Sequence, residues 1–138
     1  MNLVINTDGG SRGNPGAAAI GILICLEGKP SIKLKQAIGI ATNNEAEYTA
    51  VLTALNWLLS KSTKLQPTQI TWKLDSKLVV EQLSRKWKIK DDRMYALADR
   101  CWQKLSQLPC PSHFVHIPRE ENKAADKLVN QALDESKS

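Results

Sequence analysis

Four acidic residues of this 138-residue chain, Asp8, Glu47, Asp75 and Asp126, stand where a fold can gather them. Asp8 follows the apolar run Leu3-Val4-Ile5, and Asp75 follows the alternation of Ile70, Trp72 and Leu74, so each ends a predicted strand. Glu47 lies in the first turn of a helical pattern, on one stripe with Val51, Ala54, Leu55 and Leu58. Asp126 opens the second turn of the last helical pattern. Taken singly, each has an ordinary explanation. An Asp after a strand forms turns. Glu47 has capping-box spacing from Asn44, as Glu45 has from Thr42. If Thr42 is the cap, Glu45 completes the box and Glu47 is free for other work. An acid near a helix start favours the helix dipole. Together the four converge if the two strands are parallel neighbours, because groups gather beyond the strand ends of such sheets. Two carboxylates about 5 Å apart repel by roughly 3 kcal/mol at an effective dielectric of 20. That cluster requires protonation or a bound cation, and oxygen ligands without His or Cys select Mg²⁺ or Mn²⁺. Two such ions suit in-line attack of water on a phosphodiester.

The elements that must position these acids follow from the hydrophobic pattern. Thr7 to Gly16 is read as a strand end followed by a turn dense in Gly, Asn and Pro. Ala17 to Leu26 is apolar on both faces and predicts an interior strand, then a hairpin turn at Glu27-Gly28-Lys29-Pro30. Ile32, Leu34, Ile38 and Ile40 alternate with Ser31, Lys33, Lys35 and Ala37, which predicts a lysine-guarded edge strand. A helix follows Thr42-Asn43-Asn44, and Lys61 to Gln69 reads as a polar connection containing Pro67. A strand from Ile70, a short helix capped by Ser76, a basic segment Arg85–Lys90, a helix through Leu97–Leu105, a strand Phe114–Ile117 and a helix from about Glu121 complete the chain. The order β-β-β-α-β-α-α-β-α predicts one α/β domain over 1–138, a sheet with helices on both faces, and a frayed tail over 134–138. Three cysteines without a Cys-x-x-Cys pair argue against a disulfide framework or a zinc site and fit a reducing, cytoplasmic setting. No apolar run reaches membrane-spanning length, and the N-terminus is not expected to be a signal peptide. The net charge of +5 favours a polyanionic partner.

The chain resembles the type 1 ribonuclease H family over nearly its whole length. Thr7-Asp8-Gly9-Gly10-Ser11 through Asn14-Pro15-Gly16 matches the family's first-strand signature. Thr42-Asn43-Asn44-Glu45-Ala46-Glu47, Asp75-Ser76 and Glu121-Asn122-Lys123-Ala124-Ala125-Asp126 match three further motifs, in order and at family spacing. The resemblance implies a mixed five-stranded sheet ordered 3-2-1-4-5. It implies hydrolysis of the RNA strand of an RNA–DNA hybrid, leaving 5′-phosphate and 3′-hydroxyl ends, with two Mg²⁺ or Mn²⁺ ions per site. By position, Asp8 would bridge both ions, Glu47 and Asp75 would hold the leaving-oxygen side, and Asp126 the attacking-water side. Ser11, Asn14, Asn43 and Asn44 match positions that contact the hybrid's minor groove or backbone, where an amide side chain can read the 2′-hydroxyl. Thr42 matches a position that contacts a phosphate of the DNA strand.

Three departures from the family's better-known bacterial pattern bear on the site. The mobile loop with a His is replaced by His116-Ile117-Pro118-Arg119-Glu120, in which His116 is read as a strand residue and Arg119 resembles the residue of members lacking that loop. There Arg119 would contact the scissile phosphate or assist release. The basic protrusion is absent or reduced; Lys86, Lys88 and Lys90 with Trp87 would partly replace it through phosphate contacts, the alternative being a solvated connection with Trp87 in the core. Lys77 stands where a groove-contacting Gln is common. The glycines beside Asp8 are expected to let a hybrid backbone approach closely. A monomer without an obligate protein partner or membrane contact is expected. Two other readings remain: a hybrid-binding module with weak catalysis, and the same fold acting on double-stranded RNA.

Overall fold

The structure, a computed structural model, describes residues 2–27, 29 and 31–137. Alternation in the first run builds β1 (Asn2–Gly13), which lies at the centre of the sheet. It pairs antiparallel with β2 (Gly16–Leu26), which pairs antiparallel with β3 (Ile32–Ala41). On its other side β1 pairs parallel with β4 (Gln69–Leu74), and β4 with β5 (Ser112–His116). The described strands thus form one five-stranded sheet in the order 3-2-1-4-5. Parallel pairing needs crossovers, and helices supply them. These are α1 (Asn43–Leu65) before β4 and α2 (Lys77–Leu83) with α3 (Asp92–Leu105) before β5, while α4 (Lys123–Ser136) follows β5 after a 3₁₀ turn at Arg119–Glu121.

The two faces of the sheet carry different cores. Leu3 and Ile5 share a face with their partners Ile24, Ile70 and Trp72, and bury it against Tyr48, Val51, Leu55 and Leu58 of α1. Trp72 stacks on Phe114 across β4 and β5 at a 5.4 Å centroid separation. On the opposite face, Ala19 of β2 packs with Val129, Ala132 and Leu133 of α4. Small residues on this face of β1 and β2 bring α4 close to the sheet. Among the described residues, no helix is long and apolar enough to cross a membrane.

Several sequence expectations are corrected. The glycine-rich stretch after Asp8 is mostly strand, since pairing runs to Gly13↔Gly16 and only Asn14-Pro15 makes the turn. The connection expected from Lys61 is helical to residue 65. Polarity there does not break the helix, which stops at the Gln66 cap (φ 45°) just before Pro67, because the residue preceding a proline is disfavoured in the α region. The tail expected to fray from Asp134 is helical through Ser136, tied to the sheet by Arg12–Asp134 and Lys35–Glu135 ion pairs; Ser138 lies outside the described residues. Ile40 does not join Leu34 and Ile38. A bulge at Ile38-Gly39 resets the alternation, leaving Ile40 76% exposed. The hairpin turn expected at 27–30 falls partly on Gly28 and Pro30, outside the described residues.

Candidate active site

Each of the four acids is placed by the end of a different element. Parallel pairing of Thr7 with Leu74 sets Asp8 beside Asp75, the first residue past β4. Thr42 caps α1: its side chain accepts from the Glu45 N–H while the Glu45 carboxylate accepts from the Thr42 N–H. That reciprocal box leaves Glu47 unused by the helix start, and its side chain turns inward. The Gly9 N–H donates to both Glu47 Oε1 (2.7 Å) and Asp8 Oδ1 (3.0 Å), so one backbone group holds two carboxylates. Carboxylate oxygens of Asp8, Glu47 and Asp75 lie within 4.8 Å of one another. Asp126, from the first turn of α4, faces the same cavity of about 390 Å³ and adds its charge to Asp8.

Two glycines set the heights of the flanking acids. A Cβ on Gly9 would lie 2.3 Å from the Ala46 carbonyl, the peptide that leads into Glu47. A Cβ on Gly21, the cross-strand partner of Asp8, would lie 2.3 Å from the Ala125 carbonyl, the peptide that leads into Asp126. Each helix therefore rests on a bare backbone position next to Asp8, one on each face of the sheet. The expectation that Gly9 admits substrate backbone is corrected, because α1 fills that space; Gly10, with only Val129 within ordinary contact, stays open to the cavity.

The electrostatics of this cluster match its chemistry. Burial pushes the Asp8 carboxyl up to about 7; Glu47 offsets part of that, while the charges of Asp75 and Asp126 add to it. Burial also raises Glu47 well above the ordinary carboxylate range, and Asp8 beside it raises it further. Glu47 Oε2 is buried without a hydrogen-bond partner. A hard divalent cation would satisfy that orphan oxygen and neutralise the repulsion, and the all-oxygen donor set fits Mg²⁺ or Mn²⁺. Asp8, Glu47, Asp75 and Asp126 are the residues that would hold it.

The other sequence-predicted residues divide by position. Ser11, Asn43, Asn44 and Arg119 line the cavity with the acids. The Ser11 N–H and hydroxyl donate to Asn43 Oδ1, and the Asn43 N–H donates to Asn14 Oδ1, which locks the hairpin tip to the start of α1. Asn14 and Thr42 build this rim without lining the cavity. His116 ends β5, exposed and outside the cavity. Lys86 and Lys88 line a neighbouring groove with Trp87, Tyr95 and Trp102, and Lys90 follows them, exposed, in the loop before α3. Trp87 is 44% exposed, so its placement in the core is ruled out; Lys77 Nζ sits 5.9 Å over its ring and joins this groove to the Asp75-Ser76 corner.

Sequence reading assigned no role to Asn122, although it stood inside a quoted motif. It is 1% exposed, donates through Nδ2 to the Thr7 carbonyl (2.9 Å) and Asp75 Oδ2 (3.3 Å), and accepts from Asn6 Nδ2 (3.1 Å). It ties β1, Asp75 and the start of α4 together. Arg12 was missed as well; strand alternation from Asp8 places it on the same face, and it too lines the cavity.

An α/β sheet of this order, with carboxylates gathered beyond the ends of its central parallel strands, defines a metal-dependent class of site. The family described as "Reverse transcriptase-like" matches residues 6–132. The bifunctional protein Rv2228c of Mycobacterium tuberculosis is 40% identical over 136 residues, covering 97% of this chain and 36% of that protein. Ribonuclease H of Hydrogenovibrio crunogenus is 33% identical over 142 residues, covering 94% of this chain and 93% of that one. LC11-RNase H1, isolated from compost by a metagenomic approach, superposes in its complex with an RNA/DNA hybrid at a TM-score of 0.92, with 37% identity and 99% of each chain covered. This chain thus spans about a third of the mycobacterial relative and nearly all of the other two. The chain belongs to the type 1 ribonuclease H family.

Proposed function

We propose that the protein hydrolyses the RNA strand of RNA–DNA hybrids with two bound Mg²⁺ or Mn²⁺ ions, leaving 5′-phosphate and 3′-hydroxyl ends. The observation that carries this reading is the meeting of Asp8, Glu47 and Asp75 within 4.8 Å, with a buried Glu47 oxygen left without a partner. LC11-RNase H1, alike over nearly its whole length, is seen with an RNA/DNA hybrid, which supports the substrate class. When bound, the ions supply an activated water on one side of the scissile phosphate and neutralise the leaving oxygen on the other. Asp8, Glu47, Asp75 and Asp126 would hold the ions, with Asp8 shared between them, Glu47 and Asp75 serving the leaving-oxygen side and Asp126 the water side. Holding a cation would require Asp8 and Glu47 to give up protons that burial favours, so loading would be favoured at higher pH. Ser11, Asn43 and Asn44 on the cavity rim present the amide and hydroxyl groups that distinguish a strand with 2′-hydroxyls from one without. The reading takes the protein as a monomer in the cytoplasm, a setting that suits the free thiols of Cys25, Cys101 and Cys110.

A labelled hybrid, an RNA duplex, a DNA duplex and single strands, incubated side by side with Mg²⁺ or Mn²⁺, test the reading. Cleavage of the hybrid's RNA strand alone, abolished by Asp8→Asn while hybrid binding survives, is the expected result. Hybrid bound but uncleaved under either ion would point to a binding module, and cleavage of the RNA duplex to a different substrate.

A further inference from the structure

Two rails of nearly equal length run away from the acidic cluster. On β1, alternation puts Asp8, Gly10 and Arg12 on the face toward α4. On α4, Asp126, Asn130 and Asp134 recur at intervals of four and share a stripe. Four strand residues advance about 13 Å, and eight helical residues about 12 Å, so the rails end together. There Arg12 and Asp134 form an ion pair, NH2 to Oδ1 2.8 Å, with both side chains open to solvent. The floor between the rails is bare at Gly10, where an added Cβ would meet only Val129 Cγ1 at 3.7 Å. Among the residues lining this cavity, Arg12 and Arg119 are the cations. Arg119 comes from the turn before α4 and Arg12 from the far end of β1, so the two lie on different elements around the carboxylates.

We propose that the groove between these rails carries the strand being cleaved, and that Arg12 binds one of its phosphates a few nucleotides from the scissile one, in exchange for Asp134. A groove that leads about 13 Å from Asp8 to Arg12 is long enough to hold phosphates of one strand beyond the scissile one. The chemistry fits because a guanidinium takes a phosphate through two parallel donors, a stronger arrangement than an exposed pair with one carboxylate. Asp134 then acts as a stand-in anion: it holds Arg12 extended over the groove when no nucleic acid is present, and competes with the phosphate when it is. This rests on the ribonuclease H reading above.

The test is steady-state cleavage of a labelled RNA–DNA hybrid across a salt series by wild type, Arg12→Ala, Arg12→Lys and Asp134→Asn. Arg12→Ala should raise KM about tenfold, change kcat little, and lower the salt slope of kcat/KM by about one. Arg12→Lys should recover part of the KM, and Asp134→Asn should lower KM or leave it unchanged. An equal rise in KM for Arg12→Ala and Asp134→Asn would show that only the ion pair matters and would overturn the proposal. So would a wild-type KM and slope for Arg12→Ala. An inactive wild-type protein in the same assay would instead remove the functional reading, and hybrid retention by wild type against Arg12→Ala in a gel shift would then decide the groove independently.

Discussion

In metal-free protein, replacing Asp8 by Asn should stabilise the fold, and the gain should grow with pH. Asp8 is 7% exposed, and its carboxyl titrates at about 7 in the folded chain against 3.8 for an ordinary Asp. An acid raised on folding contributes its full stability only below the unfolded value near 3.8, and that stability is lost as pH climbs through about 7. The linkage integral gives a penalty of about 4 kcal/mol at pH 8 and about 2 kcal/mol at pH 5 as upper bounds. Asn carries no such penalty, and whatever the amide gains or loses in hydrogen bonding is common to both pH values. The excess stabilisation at pH 8 over pH 5 is therefore about 2–3 kcal/mol. At an unfolding entropy of about 2.1 cal/mol/K per residue, this is about 7–9 °C in Tm. Thermal melts of wild type and Asp8→Asn in EDTA at the two pH values measure it, and excess Mg²⁺ should raise the wild-type Tm more than that of the variant. A difference in Tm that does not change with pH, or a variant less stable at pH 8, would refute the account of burial and repulsion at this site.

Asn122→Ala should cost about 2–3 kcal/mol by urea unfolding, because it strands the Thr7 carbonyl and frees Asp75; kcat should fall more than hybrid affinity. Gly21→Ala, whose Cβ would collide with the Ala125 carbonyl, should cost about 1–3 kcal/mol and reduce kcat by an order of magnitude or more by lifting Asp126. Arg119→Ala should slow cleavage more than His116→Ala, since Arg119 lines the cavity and His116 does not; the opposite ranking in a rate assay would return the role to the histidine.

The succession of elements and the four acids were legible because their signals are local, while the sheet order 3-2-1-4-5 came only with the family resemblance. Alternation marked β1, β2 and β4, and strand-end position marked Asp8 and Asp75. Capping-box spacing offered both Asn44 with Glu47 and Thr42 with Glu45, and the fold takes the second, which leaves Glu47 free. What stayed hidden depends on what meets what. Gly9 reads as a turn former from sequence, and only the approach of α1 shows it as a seat for a helix. Asn122 carries no periodic signal, as its partners Asn6 and Asp75 are distant in sequence. Ile40 was misplaced because one bulge at Gly39 inverts every later position of its strand, which no composition announces. The tail at Asp134 seemed loose for want of knowledge that Arg12 and Lys35 wait opposite it.

The seating of α1 and α4 on Gly9 and Gly21 has a consequence for inhibition. With one acid clamped to each face and two more fixed by paired strands, the four carboxylates form a frame of nearly constant dimensions. A chelating scaffold can then be matched to that frame in its resting form, with little reorganisation to offset its affinity. Further affinity would have to come from groups reaching past the frame, toward the exposed guanidinium of Arg12 on one side and the groove of Lys86 and Trp87 on the other. Such a compound has two separable parts, one fitted to the rigid carboxylates and one to the basic margins beside them.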